Sequence, residues 1–88
     1  MNRRFRKSFA RDLKKIKAQD ILDRINQVIE EVTAATDLKQ VGDLKKMSGT
    51  AHYYRIRIGD LRIGIKVEKD TVEFVRCLPR RDLYKYFP

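Results

Sequence analysis

The stretch YYRIRIGDLRIGIK, residues 53–66, decides the fold. Tyr54, Ile56 and Ile58 alternate with Tyr53, Arg55 and Arg57, and Leu61, Ile63 and Ile65 alternate with Arg62, Gly64 and Lys66. That period of two marks two strands, each apolar on one face. Gly59-Asp60 between them is a two-residue Gly-X turn of the type II′ kind. A turn that short fixes the pairing: Ile58 faces Leu61, Arg57 faces Arg62, Ile56 faces Ile63, Arg55 faces Gly64, Tyr54 faces Ile65 and Tyr53 faces Lys66. One sheet face is then aliphatic, and the other carries Tyr53, Arg55, Arg57, Arg62, Gly64 and Lys66. Arg57 opposite Arg62 is a like-charge pair that costs about 0.2–1 kcal/mol in a sheet. An anion between them reverses the cost, because guanidinium forks bind phosphate in a bidentate manner. Gly64 leaves a floor without a side chain, where a backbone or base could come close.

Toward the C-terminus, Lys69-Asp70 turns the chain into a further strand, TVEFVRCL, residues 71–78, giving an antiparallel meander that Pro79 ends. The register of this strand stays open, with Arg76 either on the basic face or capping the core edge. RRDLYKYFP, residues 80–88, reads as a short basic and aromatic tail. Arg80 and Arg81 add to the basic face. Tyr84 either stacks a base, an interaction of about 1–3 kcal/mol in single-strand binders, or covers the sheet end. Tyr86 and Phe87 more simply cover it.

Toward the N-terminus, residues 1–5 suit a short first strand. Phe9, Leu13 and Ile16 mark one face of a helix over about 8–17, with Arg11, Lys14 and Lys15 on the other. Asp20 is the expected N-cap of a second helix, in which Ile21, Leu22, Ile25, Val28, Ile29 and Val32 keep the 3.6 period over DILDRINQVIEEVTAA, residues 20–35. The two form a helical hairpin whose stripe packs on the aliphatic face. Residues 36–51, broken by Gly42 and Gly49, read as an irregular connector in which Leu38, Val41, Leu44 and Met47 tether an arm to the core. Lys45 and Lys46 there are most simply solvated charges, and they group with Tyr53, Lys66 and Arg81 as the candidate nucleic-acid-binding residues.

At 88 residues the chain is expected to form one domain, 1–88, with room for a single core. Lys and Arg total 21 against 12 Asp and Glu, a net charge of +9, which favours anionic partners. Residues 1–20 hold 8 of those cations against 2 acids, and residues 21–40 hold 2 against 4, so the second helix is not the nucleic-acid face. The only cysteine, Cys77, rules out an internal disulfide and a multi-cysteine zinc site, and fits a reducing compartment. No cofactor and no metal is called for. The basic N-terminus could pass for an Arg-rich transit peptide, but Phe9, Leu13 and Ile16 continue directly into a core pattern, so cytoplasmic residence without a membrane is the expectation. His52, the sole histidine, lies just before the arginine strand and could be an acid or base, but an isolated histidine at a strand entry is more often structural. Asp82 could orient an arginine or be a surface charge. No Ser-His-Asp set or glycine-rich phosphate loop is present.

With LKKMSG, YYRIRIGDLRI and RRDLY in view, the chain resembles the RelE/ParE superfamily of toxins from type II toxin-antitoxin systems, more particularly the RelE-like branch. The resemblance implies an α+β fold, with a helical hairpin packed on a small, mainly antiparallel twisted sheet. It implies a metal-independent endoribonuclease that cuts messenger RNA in the ribosomal A site by attack of the ribose 2′-OH on the adjacent phosphorus. By the same resemblance Arg55, Arg57, Arg62, Arg80 and Tyr84 are the catalytic set, and the partners are a cognate RelB-like or other antitoxin, the ribosome and mRNA. The ParE branch, which shares the fold and inhibits DNA gyrase without cutting RNA, is the alternative.

Overall fold

A computed structural model describes residues 1–88. The elements run β1 (Asn2–Phe5), α1 (Lys7–Lys14), α2 (Gln19–Ala34), a 3-10 turn (Leu38–Gln40), β2 (Leu44–Lys46), β3 (Tyr53–Ile58), β4 (Leu61–Glu68), β5 (Thr71–Pro79) and α3 (Arg80–Tyr86). The strands form one sheet in the order β1-β5-β4-β3-β2, antiparallel except for β1 beside β5.

All six expected pairs of β3 and β4 are present, from Tyr53 opposite Lys66 to Ile58 opposite Leu61. Gly59 carries φ 55° at the first turn position, while Asp60 is not left-handed, as a type II′ turn requires. The aliphatic face packs as foreseen. Ile56, Ile58, Ile63 and Ile65 share one buried cluster with Phe9 of α1 and Ile25, Ile29 and Val32 of α2.

Several expectations change. α2 begins two residues earlier than expected, at Gln19, with Ala18 rather than Asp20 as N-cap and no side-chain cap. Asp20 lies in the first turn, where its charge still suits the helix dipole. α1 stops at Lys14 rather than near Lys17, and Ile16 instead turns back, its N–H donating to the Leu13 carbonyl at 3.1 Å. The connector contains a real strand, β2, on the outer edge of the sheet. The tail is the helix α3, lying on the face that the sequence left to solvent. A second small core of Met47, Val75, Leu83 and Phe87 joins them there.

The register of β5 is settled by a bulge. Gly64 faces Arg76 and Ile65 faces Phe74, so Val75 is the extra residue, and Phe74 and Cys77 both reach the main core. β1 pairs only as far as Phe74, and α1 satisfies the β5 edge beyond it. Ser8 Oγ donates to the Val75 carbonyl at 2.6 Å, and the Cys77 N–H donates to Asp12 Oδ2 at 2.9 Å. Asp12, 4% exposed, also accepts two bonds from the Arg76 guanidinium, at 2.8 and 3.1 Å. A buried carboxylate thus completes a sheet edge and fixes Arg76 beside it.

Candidate nucleic-acid interface and active site

The face opposite the main core divides into two ends with opposite electrostatics. At the end far from the Gly59-Asp60 turn, two of the cations are held by carboxylates. Lys66 pairs with Glu68 at 2.8 Å and Arg6 with Glu73 at 3.0 Å. Glu68 raises the Lys66 pKa, first by hydrogen bonding and then by charge. At the turn end the reverse holds: none of Arg55, Arg57, Arg62 and Arg80 takes part in an ion pair.

Arg62 is the centre of that uncompensated end. It is only 9% exposed. Its Nη1 donates to the carbonyls of Gly59 and Leu61 at 2.8 and 2.9 Å, so the hairpin turn holds the guanidinium in place. Its buried Nε has no partner within the chain. Burial lowers the Arg62 pKa, and the charges of Arg55, Arg57 and Arg80 lower it further, with Tyr84 acting in the opposite sense. These are the same four residues that the sequence grouped with Arg62. A cation taken from water costs free energy unless it is paired, and three like charges nearby make this end of the face electrostatically favourable for an anion.

Arg57 is exposed and directly opposite Arg62; Arg55 is half-buried one step along the same face. Arg80 is the exposed first residue of α3, and Tyr84, one turn on, leaves half its surface free, at 50% exposure. The two lysines of β2 separate. Lys45 pairs with Arg55 and so shares the basic face, whereas Lys46 pairs with Tyr54 on the opposite face. There Lys46 lines a groove with Met1, Ala35, Leu38, Val41 and Tyr54. Lys46 is therefore not part of the basic face, because a three-residue strand alternates sides where an irregular connector need not.

Tyr53 and Lys66 are on the basic face but outside the arginine cluster. They are two same-face steps from the Arg57–Arg62 pair, roughly 13 Å along the strands. Lys66 lies over the Tyr53 ring, 5.8 Å from its centroid, and both are half-buried. Arg81 and Asp82 follow Arg80 in α3, Arg81 exposed and Asp82 half-buried. His52 precedes β3 at the compensated end, where its charge lowers the Glu68 pKa after the larger effect of Lys66. Along the strand it is five residues, roughly 16 Å, from Arg57 and three residues, roughly 10 Å, from Arg55.

Gly64 is the principal correction. The floor beside Arg55 is not open: the Phe87 ring occupies it, with three ring atoms 2.9 Å from where a Cβ would stand. The glycine makes room for the chain's own terminus. Asp12 is the structural residue of this region that sequence reasoning missed, and its contact with Arg76, like that of Phe87 with Gly64, spans a long separation that no local pattern encodes. Phe87 does cover the sheet, as expected, whereas Tyr86 is largely exposed, with the Arg76 and Lys85 cations 5.9 and 5.4 Å from its ring centroid.

Comparison with known proteins gives consistent matches over nearly the whole chain. The family model described as the ParE toxin of the type II toxin-antitoxin system parDE matches residues 3–84. Toxin RelE3 of Methanocaldococcus jannaschii is 45% identical over 85 residues, 96% of each chain. The RelB-RelE antitoxin-toxin complex from Methanococcus jannaschii aligns with a TM-score of 0.80 at 44% identity, covering 97% of this chain and 99% of the other. The YoeB dimer from Staphylococcus aureus aligns at 0.74 with 20% identity over 89% and 94% of the two chains. The DinJ-YafQ complex of E. coli aligns at 0.66 with 16% identity over 94% and 97%. The last two establish a shared fold.

Proposed function

Because the chain belongs to the ParE toxin family of type II toxin-antitoxin systems, we propose that it is the toxin of such a pair and acts, like RelE, as a ribosome-dependent endoribonuclease. The observation that carries this reading is Arg62: a buried, turn-anchored cation with no carboxylate, among three further arginines. Such a cluster suits a phosphate that gains charge during reaction better than it suits a neutral ligand.

In the proposed reaction the ribose 2′-oxygen bonds to the adjacent phosphorus and the bond to the 5′-oxygen breaks. The 2′-OH loses its proton to solvent, the departing 5′-oxygen gains one, and the products end in a 2′,3′-cyclic phosphate and a 5′-OH. Charge accumulates on the non-bridging oxygens in the transition state. Arg62 and Arg57 hold those oxygens, and Arg62 needs no reorganisation because two turn carbonyls already orient it. Arg55 lowers the pKa of the attacking hydroxyl by its charge, Arg80 stabilises the departing oxygen, and the exposed Tyr84 ring stacks on a base. Arginine stays protonated near neutral pH, so these groups act by charge and geometry rather than by proton transfer. No step calls for a metal. Lys45 and Arg81 extend the phosphate contacts along the same face.

The 44% identical structure is an antitoxin-toxin complex. Its likeness supports a cognate antitoxin here, whose acidic segment covers the uncompensated arginines. No helix is long and apolar enough to cross a membrane. A single domain, 1–88, working on cytoplasmic ribosomes completes the proposal.

The test is expression without the antitoxin, with mapping of mRNA 5′ ends. New ends inside translated frames are expected, and Arg62→Ala should reduce them on the order of a hundredfold to a thousandfold, the loss typical of one fixed donor to developing charge. Growth arrest with no new ends, together with inhibition of gyrase supercoiling by the purified protein, would replace this reading with ParE-like action.

A further inference from the structure

α3 is fastened to the sheet at both ends. At its start the Arg80 N–H donates to the Asp60 carbonyl in the hairpin turn, at 3.3 Å. At its end Phe87 sits on Gly64, close enough that any Cβ there would collide with the ring at 2.9 Å. The ring is 4% exposed, packs with Met47, Val75 and Leu83, and receives the Tyr53 ring edge-on at a centroid distance of 5.4 Å. The Phe87 N–H donates to the Leu83 carbonyl at 2.8 Å, so the residue still follows the last helical turn. Leu83 and Phe87 thereby share the face that packs on the sheet.

The two attachments match in length. From Asp60 to Gly64 the strand advances about 13 Å, and from Arg80 to Phe87 the helix advances about 10 Å. Arg62 is the midpoint of the strand segment, and Tyr84 is near the midpoint of the helix segment. A helix held this way has little freedom to slide or lift. The side chains it offers toward Arg62 are Arg80 and Tyr84, one turn apart.

We propose that Phe87 is a positioning residue for the arginine cluster: its ring on Gly64 is the second of two anchors that hold α3 across the basic face and set Arg80 and Tyr84 against Arg62. Phe87 itself touches no reacting group. The catalytic consequence rests on the endoribonuclease reading, whereas the anchoring does not.

Two measurements on the full chain test this separately. In Phe87→Ala, amide hydrogen exchange at Tyr84, Lys85 and Tyr86 should quicken by about tenfold or more while the amides of β3 and β4 keep their protection. Phe87→Leu, which retains an apolar contact, should fall between the two. Unchanged exchange in α3 for both variants overturns the proposal whether or not the protein cuts RNA. The second measurement is a cycle on the cleavage rate. Arg80→Ala should slow cleavage in the wild-type background and have little further effect in the Phe87→Ala background, whereas Arg57→Ala should keep its full effect in both. Gly64→Ala should act in the same sense as Phe87→Ala, because the new methyl displaces the ring. An Arg80→Ala effect of equal size in both backgrounds contradicts the proposal, since a merely structural Phe87 would weaken every variant alike. Failure of the wild type to cut RNA removes the endoribonuclease reading and leaves the exchange result to decide the anchor.

Discussion

Arg57 and Arg62 face each other across β3 and β4, and a like-charge pair directly opposite in a sheet is destabilising by about 0.2–1 kcal/mol. Arg57→Ala should therefore raise the thermal midpoint by up to several degrees, given about 4–8 °C per kcal/mol in a domain of this size, while cleavage falls. A midpoint that drops instead would mean that Arg57 contributes packing rather than charge. That pair was legible from the sequence because a two-residue turn leaves no slack in register. Arg76 was not legible, because its place depends on a bulge at Val75 and on Asp12, sixty-four residues away. The same corner contains Cys77, whose thiol pKa is pushed up to about 12, chiefly by burial and secondarily by the Asp12 charge. A raised thiol pKa favours the fold while both states hold the proton. That contribution is intact below the unfolded value near 9.0 and is lost as pH rises toward 12. At pH 8 a thiol reagent should thus modify Cys77 only as fast as the protein opens, and rapid modification of the folded protein would contradict its placement.

Among the elements, α2, β3 and β4 were readable because each repeats its pattern long enough to show a period. α3 was not, since its seven residues bury only Leu83 and its hold on the sheet comes through Phe87, just beyond its end. β2 has three residues and one apolar side chain facing the core, too few for alternation to appear. The turns differ in the same way. Gly59 meets its left-handed position at no steric cost, but Lys69, at φ 55°, occupies the corresponding position before β5 with a full side chain. A non-glycine residue there costs roughly 1–2 kcal/mol. Lys69→Gly should relieve part of that strain and raise the urea midpoint without changing its slope, with a net gain of about 0.5–1 kcal/mol after the added flexibility of the unfolded chain. The substitution is far from the arginine cluster, so cleavage should be unaffected.

At the scale of the whole molecule, the sheet separates two tasks. One face is covered by α1 and α2 and carries most of the stability. The other is held by the small core around Leu83 and Phe87, and at the turn end it leaves four arginines without acids. This division explains why charge composition pointed to an anionic partner before any geometry was known, and why it could not say which end of the face would bind. The geometry adds the difference between the ends: Glu68 and Glu73 pair with Lys66 and Arg6 at the far end, and no acid pairs with the arginines at the turn end. The most direct test of the central claim is purified protein with mRNA-programmed ribosomes, followed by chemical identification of the new RNA ends. Cleavage that requires the ribosome and leaves 2′,3′-cyclic phosphate and 5′-OH termini, lost in Arg62→Ala, is the predicted result. Intact mRNA in the presence of active wild-type protein, or cleavage unchanged in Arg62→Ala, would contradict it.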